Sequence, residues 1–172
     1  MQPGNLVWHQ PVSPLLEMWA RWDSEWYLLI ADKGYDVGNE LVALGLAYER
    51  TAAAGFLPLY PLLIRTFAPF FGGLAAGLLI SNVCLFLSLL LLDRLVRLEV
   101  DGEAGELAAL GACAALVLHP SSLFLSAVYA ESLFLGLSIG AFLFARTGRF
   151  ALAGACGGLA TLTRPFGILL LF

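Results

Sequence analysis

The stretch Gly72-Gly-Leu-Ala-Ala-Gly-Leu-Leu-Ile-Ser-Asn-Val-Cys-Leu-Phe-Leu-Ser-Leu-Leu-Leu-Leu92 runs for twenty-one residues without a charge and stops at once on Asp93-Arg94-Leu95-Val96-Arg97. A helix needs about twenty apolar residues to cross the hydrocarbon layer of a bilayer, so this run has the length of a span. The rest of the chain agrees with it. Hydrophobic residues make up 60% of the 172 and charged residues 13%, with a mean hydropathy of +0.85, far from the soluble balance.

Working outward, Leu98–Glu106 reads as a polar, acidic loop and Leu107–Leu118 as a second, slightly short span ending at His119-Pro120. Ser121–Ala145 is a third apolar run, interrupted by Tyr129 and Glu131 and closed by Arg146 and Arg149. Phe150–Leu162 is a fourth, and a fifth begins at Phe166. Small residues recur at four-residue spacing, as Gly73/Gly77/Ser81, Ser132/Gly136/Gly140 and Gly154/Gly158; such stripes let helix backbones approach closely in lipid. The expected fold class is therefore all-α, an integral-membrane, multispanning helical bundle over residues 72–172. Residues 57–71 carry Pro58, Pro61, Pro69 and Arg65 and are too short for a span, so an interfacial or re-entrant helix is expected there. Residues 1–56 form a polar and aromatic region with no signal-peptide pattern at its start. The last residues, Gly167–Phe172, stop inside an apolar run, and the chain reads as truncated.

Arginine placement orients the bundle. Short loops rich in Lys and Arg stay cytoplasmic, which puts Arg94/Arg97 and Arg146/Arg149 on that side. Residues 1–71, the His119–Glu131 turn and the Thr163-Arg164-Pro165 turn then share the opposite, non-cytoplasmic face. The acidic excess is placed consistently: residues 1–56 hold three basic and seven acidic groups, residues 57–172 six of each. No basic run offers a nucleic-acid footprint. Cys84, Cys113 and Cys156 stand alone in apolar runs, and no metal or cofactor is expected.

Against this background the stretch Arg21-Trp-Asp-Ser-Glu-Trp-Tyr-Leu-Leu-Ile-Ala-Asp-Lys-Gly-Tyr35 reads as an aromatic, acidic loop at the membrane surface. Trp22, Trp26 and Tyr27 suit the interface, where an apolar ring lies beside a polar edge. Asp23 among them is the candidate catalytic base, because a carboxylate in a partly dry, aromatic setting can take a proton from an attacking hydroxyl; an interfacial anchor with solvated charges is the alternative. Glu131, inside an apolar run, faces a cavity or partner, or else caps a helix that starts after a break at His119-Pro120. Arg164 and Arg65 either snorkel to headgroups or present a donor fork to a lipid phosphate. His119 has no second imidazole at ligand spacing.

These residues fall into four blocks: Trp22-Asp23-x-x-Trp26-Tyr27 with Ala31-x-x-Gly34-Tyr35; Phe56 through Arg65; His119-Pro-Ser-Ser with Tyr129-Ala-Glu-Ser132; and Thr161-Leu-Thr-Arg-Pro-Phe-Gly167. In this order they resemble the PIG-V-type mannosyltransferases. The resemblance implies a multispanning glycosyltransferase of the GT-C class, which moves a mannosyl or hexosyl group from a polyprenyl- or dolichyl-phosphate donor to a glycan or glycolipid acceptor on the non-cytoplasmic side. It places the role of base on Asp23, with inversion at the anomeric carbon. For Trp22, Trp26, Tyr27, Arg65, His119, Tyr129, Glu131, Ser132, Thr163 and Arg164 the resemblance implies only that the positions matter. A substrate-binding role is expected of them on chemical grounds, with Arg164 and Arg65 holding the lipid phosphate and Tyr129 and Glu131 shaping the sugar pocket. The compartment it implies is the plasma membrane in a prokaryote and the endoplasmic reticulum in a eukaryote. The family carries a span before the Trp-Asp block and many after Gly167 that this sequence lacks.

Two rival classes use the same residues differently. A transporter or flippase half would surround a midplane site with broken helices, and should show an internal hydropathy repeat. A purely structural subunit would leave Asp23, Glu131 and Arg164 without a shared location.

Overall fold

The computed structural model describes residues 18–36 and 52–171, and among them there are helices and turns but no strand. Helix α1 spans Asp23–Lys33, and after a 3-10 turn at Ala52–Gly55 come α2 (Leu59–Phe71), α3 (Gly73–Glu99) and α4 (Gly102–Leu118). A 3-10 turn at Pro120–Ser122 leads into the single turn α5 (Leu123–Ser126), followed by α6 (Glu131–Arg146), α7 (Phe150–Thr161) and a 3-10 segment at Pro165–Leu171. The remainder of the expected N-terminal region, residues 1–17 and 37–51, lies outside the described residues.

Helix α3 dominates. Its 27 residues extend about 40 Å at 1.5 Å per residue, more than the hydrocarbon thickness. Only 33% of its most apolar window is buried, and Leu79, Val83, Phe86, Leu87 and Leu90 point outward. The core helix of a soluble protein would be mostly covered. Of the expected spans, α3 alone is long and apolar enough to cross; α4 with the turns through Ser126 makes a second if its 72° bend is one broken span.

The bend follows from chemistry at Pro120. A residue before proline is pushed out of the helical region, and His119 is extended at ψ 139° while its Nδ1 accepts from the Ser121 N–H at 3.2 Å. The third apolar run, too, does not form one helix. It is broken at 127–130, where the backbone lies buried against α3.

Small residues bring α3 and α6 together. A Cβ built on Gly136 would lie 2.8 Å from Ser88 Oγ, and one on Gly77 2.6 Å from Val128 Cγ1. Hydroxyls and amides fill the contact: Ser88 donates to the Ser132 carbonyl at 3.2 Å, Asn82 to that of Ser126 at 3.1 Å, and Ser81 to that of Tyr129 at 3.1 Å. Such interhelical bonds contribute about 0.6 kcal/mol each in lipid. Around Gly154 and Gly158, by contrast, no atom lies within 4 Å of a built Cβ.

Three local expectations change. The Arg21–Tyr35 stretch is a helix from Asp23 rather than a loop, because Leu28-Leu29-Ile30-Ala31 supplies a buried run. Asp23 and Glu25 in its first turn and Lys33 in its last complement the helix dipole. The Leu98–Glu106 loop shrinks to Val100-Asp101, since the Asp93–Arg97 pair carries α3 onward at i,i+4 spacing. Residues 165–171 form a 3-10 segment rather than the start of a fifth regular span.

Two ends result. At one, Arg146 grips Glu99 through Nε and Nη2 at 2.5 and 2.9 Å, and Arg97 bridges Asp93 and Glu106. At the other, the Val128 N–H donates to the Trp19 carbonyl at 3.1 Å and the Leu59 N–H to the Leu162 carbonyl at 3.0 Å. This second end gathers the segments before α1, before α2, between α5 and α6, and after α7.

Candidate active site

An open cleft of about 410 Å³ lies at that second end, lined by Trp22, Asp23, Phe124, Tyr129 and Glu131. Asp23 is the first residue of α1 and is exposed at the mouth. Glu131 is the first residue of α6, and the 127–130 break is what turns it toward the cleft. Its Oε1 accepts from Nη2 of Arg164, which follows α7 directly. Three elements far apart in sequence thus bring two carboxylates and a guanidinium to one place.

The walls are aromatic. The Phe124 ring stands edge-on to Tyr129 at 5.2 Å and tilted to Trp22 at 6.4 Å. The Tyr129 hydroxyl donates to the Arg21 carbonyl at 2.9 Å. Burial, before any neighbouring charge, pushes the Tyr129 pKa up, so the hydroxyl keeps its proton at neutral pH. Tyr27 lies behind the cleft, edge-on to both Phe56 and Tyr60 at 5.0 Å. Its hydroxyl is pushed well above the usual phenol range by burial first and then by the Glu131 carboxylate.

The remaining candidate residues have other surroundings. Trp26 stacks on Phe56 at 5.8 Å. Ser132 is buried and donates to the Leu125 carbonyl, tying α6 to α5. Thr163 is buried and donates to the Ala160 carbonyl at 2.6 Å, closing the end of α7. His119 is exposed at the Pro120 bend, and Arg65 is exposed on α2 outside the cleft lining. Phe124 was not among the sequence candidates, and nothing in an apolar run marks one phenylalanine as cleft-facing. Among the described residues no group of three His, Cys, Asp or Glu side chains is placed to hold a metal ion.

Chemically the cleft combines an exposed carboxylate, a second carboxylate that is paired to the Arg164 guanidinium, and two apolar ring faces. A guanidinium fork matches phosphate oxygens, rings offer flat apolar surface to a sugar, and a carboxylate at the mouth can accept a proton from an incoming hydroxyl.

The profile of the family Mannosyltransferase (PIG-V) matches residues 4–171. Two curated proteins, the GPI alpha-1,6-mannosyltransferase 2 of Rattus norvegicus and that of Mus musculus, are each 32% identical over 168 residues. The match covers 92% of this chain and 31% of each relative, so the chain spans about a third of their length. No solved structure matches.

Proposed function

The chain belongs to the PIG-V mannosyltransferase family, and from that premise we propose that it forms the catalytic end of a membrane glycosyltransferase. The enzyme takes a mannosyl group from a polyprenyl-phosphate-linked donor and gives it to a glycan or glycolipid acceptor on the non-cytoplasmic side. The observation that carries this reading is that Asp23 and Glu131 line one cleft and that Arg164 is paired to Glu131.

In this mechanism the acceptor hydroxyl enters beside Asp23, whose carboxylate takes its proton as the oxygen attacks the anomeric carbon. The bond from that carbon to the donor phosphate oxygen breaks as the new glycosidic bond forms on the opposite face, so the configuration inverts. Charge develops on the departing lipid phosphate, and Arg164 stabilises it; fixed donors aimed at developing charge act most strongly where water is excluded. Glu131 holds the guanidinium in place before the donor binds. Trp22 and Phe124 flank the sugar, and Arg65 on α2 meets the headgroup layer.

The outward-facing leucines and phenylalanines of α3 support a membrane setting, since exposed apolar area on this scale needs a cover. In this reading α4 with α5 makes a further crossing as a broken span, α6 and α7 with the segments that flank them make the shorter ones of the multispanning bundle, and α2 lies in the interface. The reading is tested by incubating membranes that carry the full-length protein with polyprenyl-phosphate-mannose and an acceptor glycolipid. Transfer of mannose, with a product of opposite anomeric configuration to the donor, is the expected result; membranes that move no mannose contradict it.

A further inference from the structure

We propose that Tyr129 is a positioning residue: by bonding to the Arg21 carbonyl it holds Trp22 in a glycine-like turn and thereby aims Asp23 into the cleft. The inference rests on the reading of Asp23 as the base.

The turn itself is unusual. The Ser24 N–H donates to the Arg21 carbonyl at 3.3 Å, and Trp22, the first central residue between them, has φ 58° and ψ −118°. These angles belong to the first central position of a type II′ turn, where glycine dominates because a Cβ is crowded there. Among the described residues Trp22 alone is a non-glycine at positive φ. A bulky residue persists in such a conformation only where its surroundings over-determine it, and that happens most often at functional sites.

The ring of Trp22 does not supply the constraint, being 69% exposed. The backbone does. The Tyr129 hydroxyl reaches the Arg21 carbonyl across 108 residues of sequence, and the adjacent Val128 N–H takes the Trp19 carbonyl at 3.1 Å. The clamp is fixed from behind as well. The Tyr129 carbonyl accepts from Ser81, and Ser81 shares a 2.7 Å bond with the buried Tyr60 hydroxyl. The 127–130 break thus connects the long helix α3 to the turn before Asp23. With the bond made, Asp23 opens α1 at the cleft mouth; without it, the turn is free to relax to an ordinary conformation and swing the carboxylate away.

Two readouts on the full-length protein test this. Tyr129→Phe keeps the ring and removes the donor, and should lower kcat for mannosyl transfer about tenfold, the equivalent of one lost hydrogen bond, with the donor KM unchanged. Independently of activity, an Asp23→Cys protein is labelled with a maleimide, against the background of the same protein without that change. Adding Tyr129→Phe should alter the labelling rate by about threefold or more, the low end for one hydrogen bond. In a Trp22→Gly background, where the turn is unstrained, the alteration should vanish. An unchanged labelling rate overturns the proposal, as does a change that persists undiminished with Trp22→Gly, or a loss of transfer wholly in KM. A labelling shift, where the parent protein with Asp23 intact moves no mannose, upholds the positioning role and removes the transfer reading instead.

Discussion

Arg164, just after α7, pairs across 33 positions of sequence with Glu131, the first residue of α6 and part of the cleft lining. Both are partly covered, at 34% and 22% side-chain exposure, and the second carboxylate oxygen of Glu131 is buried without a hydrogen-bond partner. An arrangement of this kind holds a guanidinium ready and leaves its remaining donors for a phosphate.

The pair should therefore matter more to transfer than to folding. Arg164→Ala is expected to lower kcat/KM by about a hundredfold, as loss of a charge-stabilising donor does, and Arg164→Lys to recover part of it as a point charge without the fork. Thermal unfolding of Glu131→Ala, Arg164→Ala and the double variant in detergent should show a coupling of about 1 kcal/mol, as expected for residues in direct contact.

The ion pairs at the other end give the contrasting case. Arg146 and Glu99 are 60% and 46% exposed, and exposed pairs contribute about 0–1 kcal/mol and weaken with salt. Glu99→Gln should leave transfer within twofold of the parent and shift stability by about 0.5 kcal/mol or less. Activity assays and melting at two salt concentrations check this.

Glycine substitutions should separate packed helix faces from open ones. Gly77→Ala places a methyl 2.6 Å from Val128 Cγ1, and overpacking of this kind costs about 1–3 kcal/mol. Val128→Ala in the same protein should restore part of the loss. Gly154→Ala meets open space and should be neutral or stabilise by up to about 1 kcal/mol through helix propensity. Melting temperatures of the three proteins provide the measurement.

Much of this was visible in the chain. Twenty-one uncharged residues from Gly72 specify α3 whatever surrounds them, and the all-helical class follows from the same periodic apolar runs. The break at His119-Pro120 was also readable, because proline constrains its predecessor through local sterics. The Arg21–Tyr35 stretch reads as a loop in sequence because its charges and aromatics outweigh a four-residue apolar run whose burial depends on α2 and α3. Trp22, Asp23, Tyr129, Glu131 and Arg164 each stand out in the sequence, yet nothing in the spacing tells that Glu131 meets Arg164 or that Tyr129 reaches Arg21. Those contacts depend on how α6 and α7 return to the same end. Residue type alone likewise cannot distinguish Tyr129, at the cleft, from Tyr27, packed behind it between Phe56 and Tyr60. The left-handed backbone of Trp22 had no sequence signal, since tryptophan is among the least expected residues there.

The account stands on Asp23 as the group that takes the acceptor proton, and Asp23→Asn tests it most directly. The substitution keeps the size and the helix start, removes the base, and is to be assayed for mannosyl transfer from polyprenyl-phosphate-mannose in membranes carrying the full-length protein at parental levels. The account predicts a fall in kcat of about a hundredfold or more, the usual scale for a general base. Transfer by Asp23→Asn at the parental rate would contradict it.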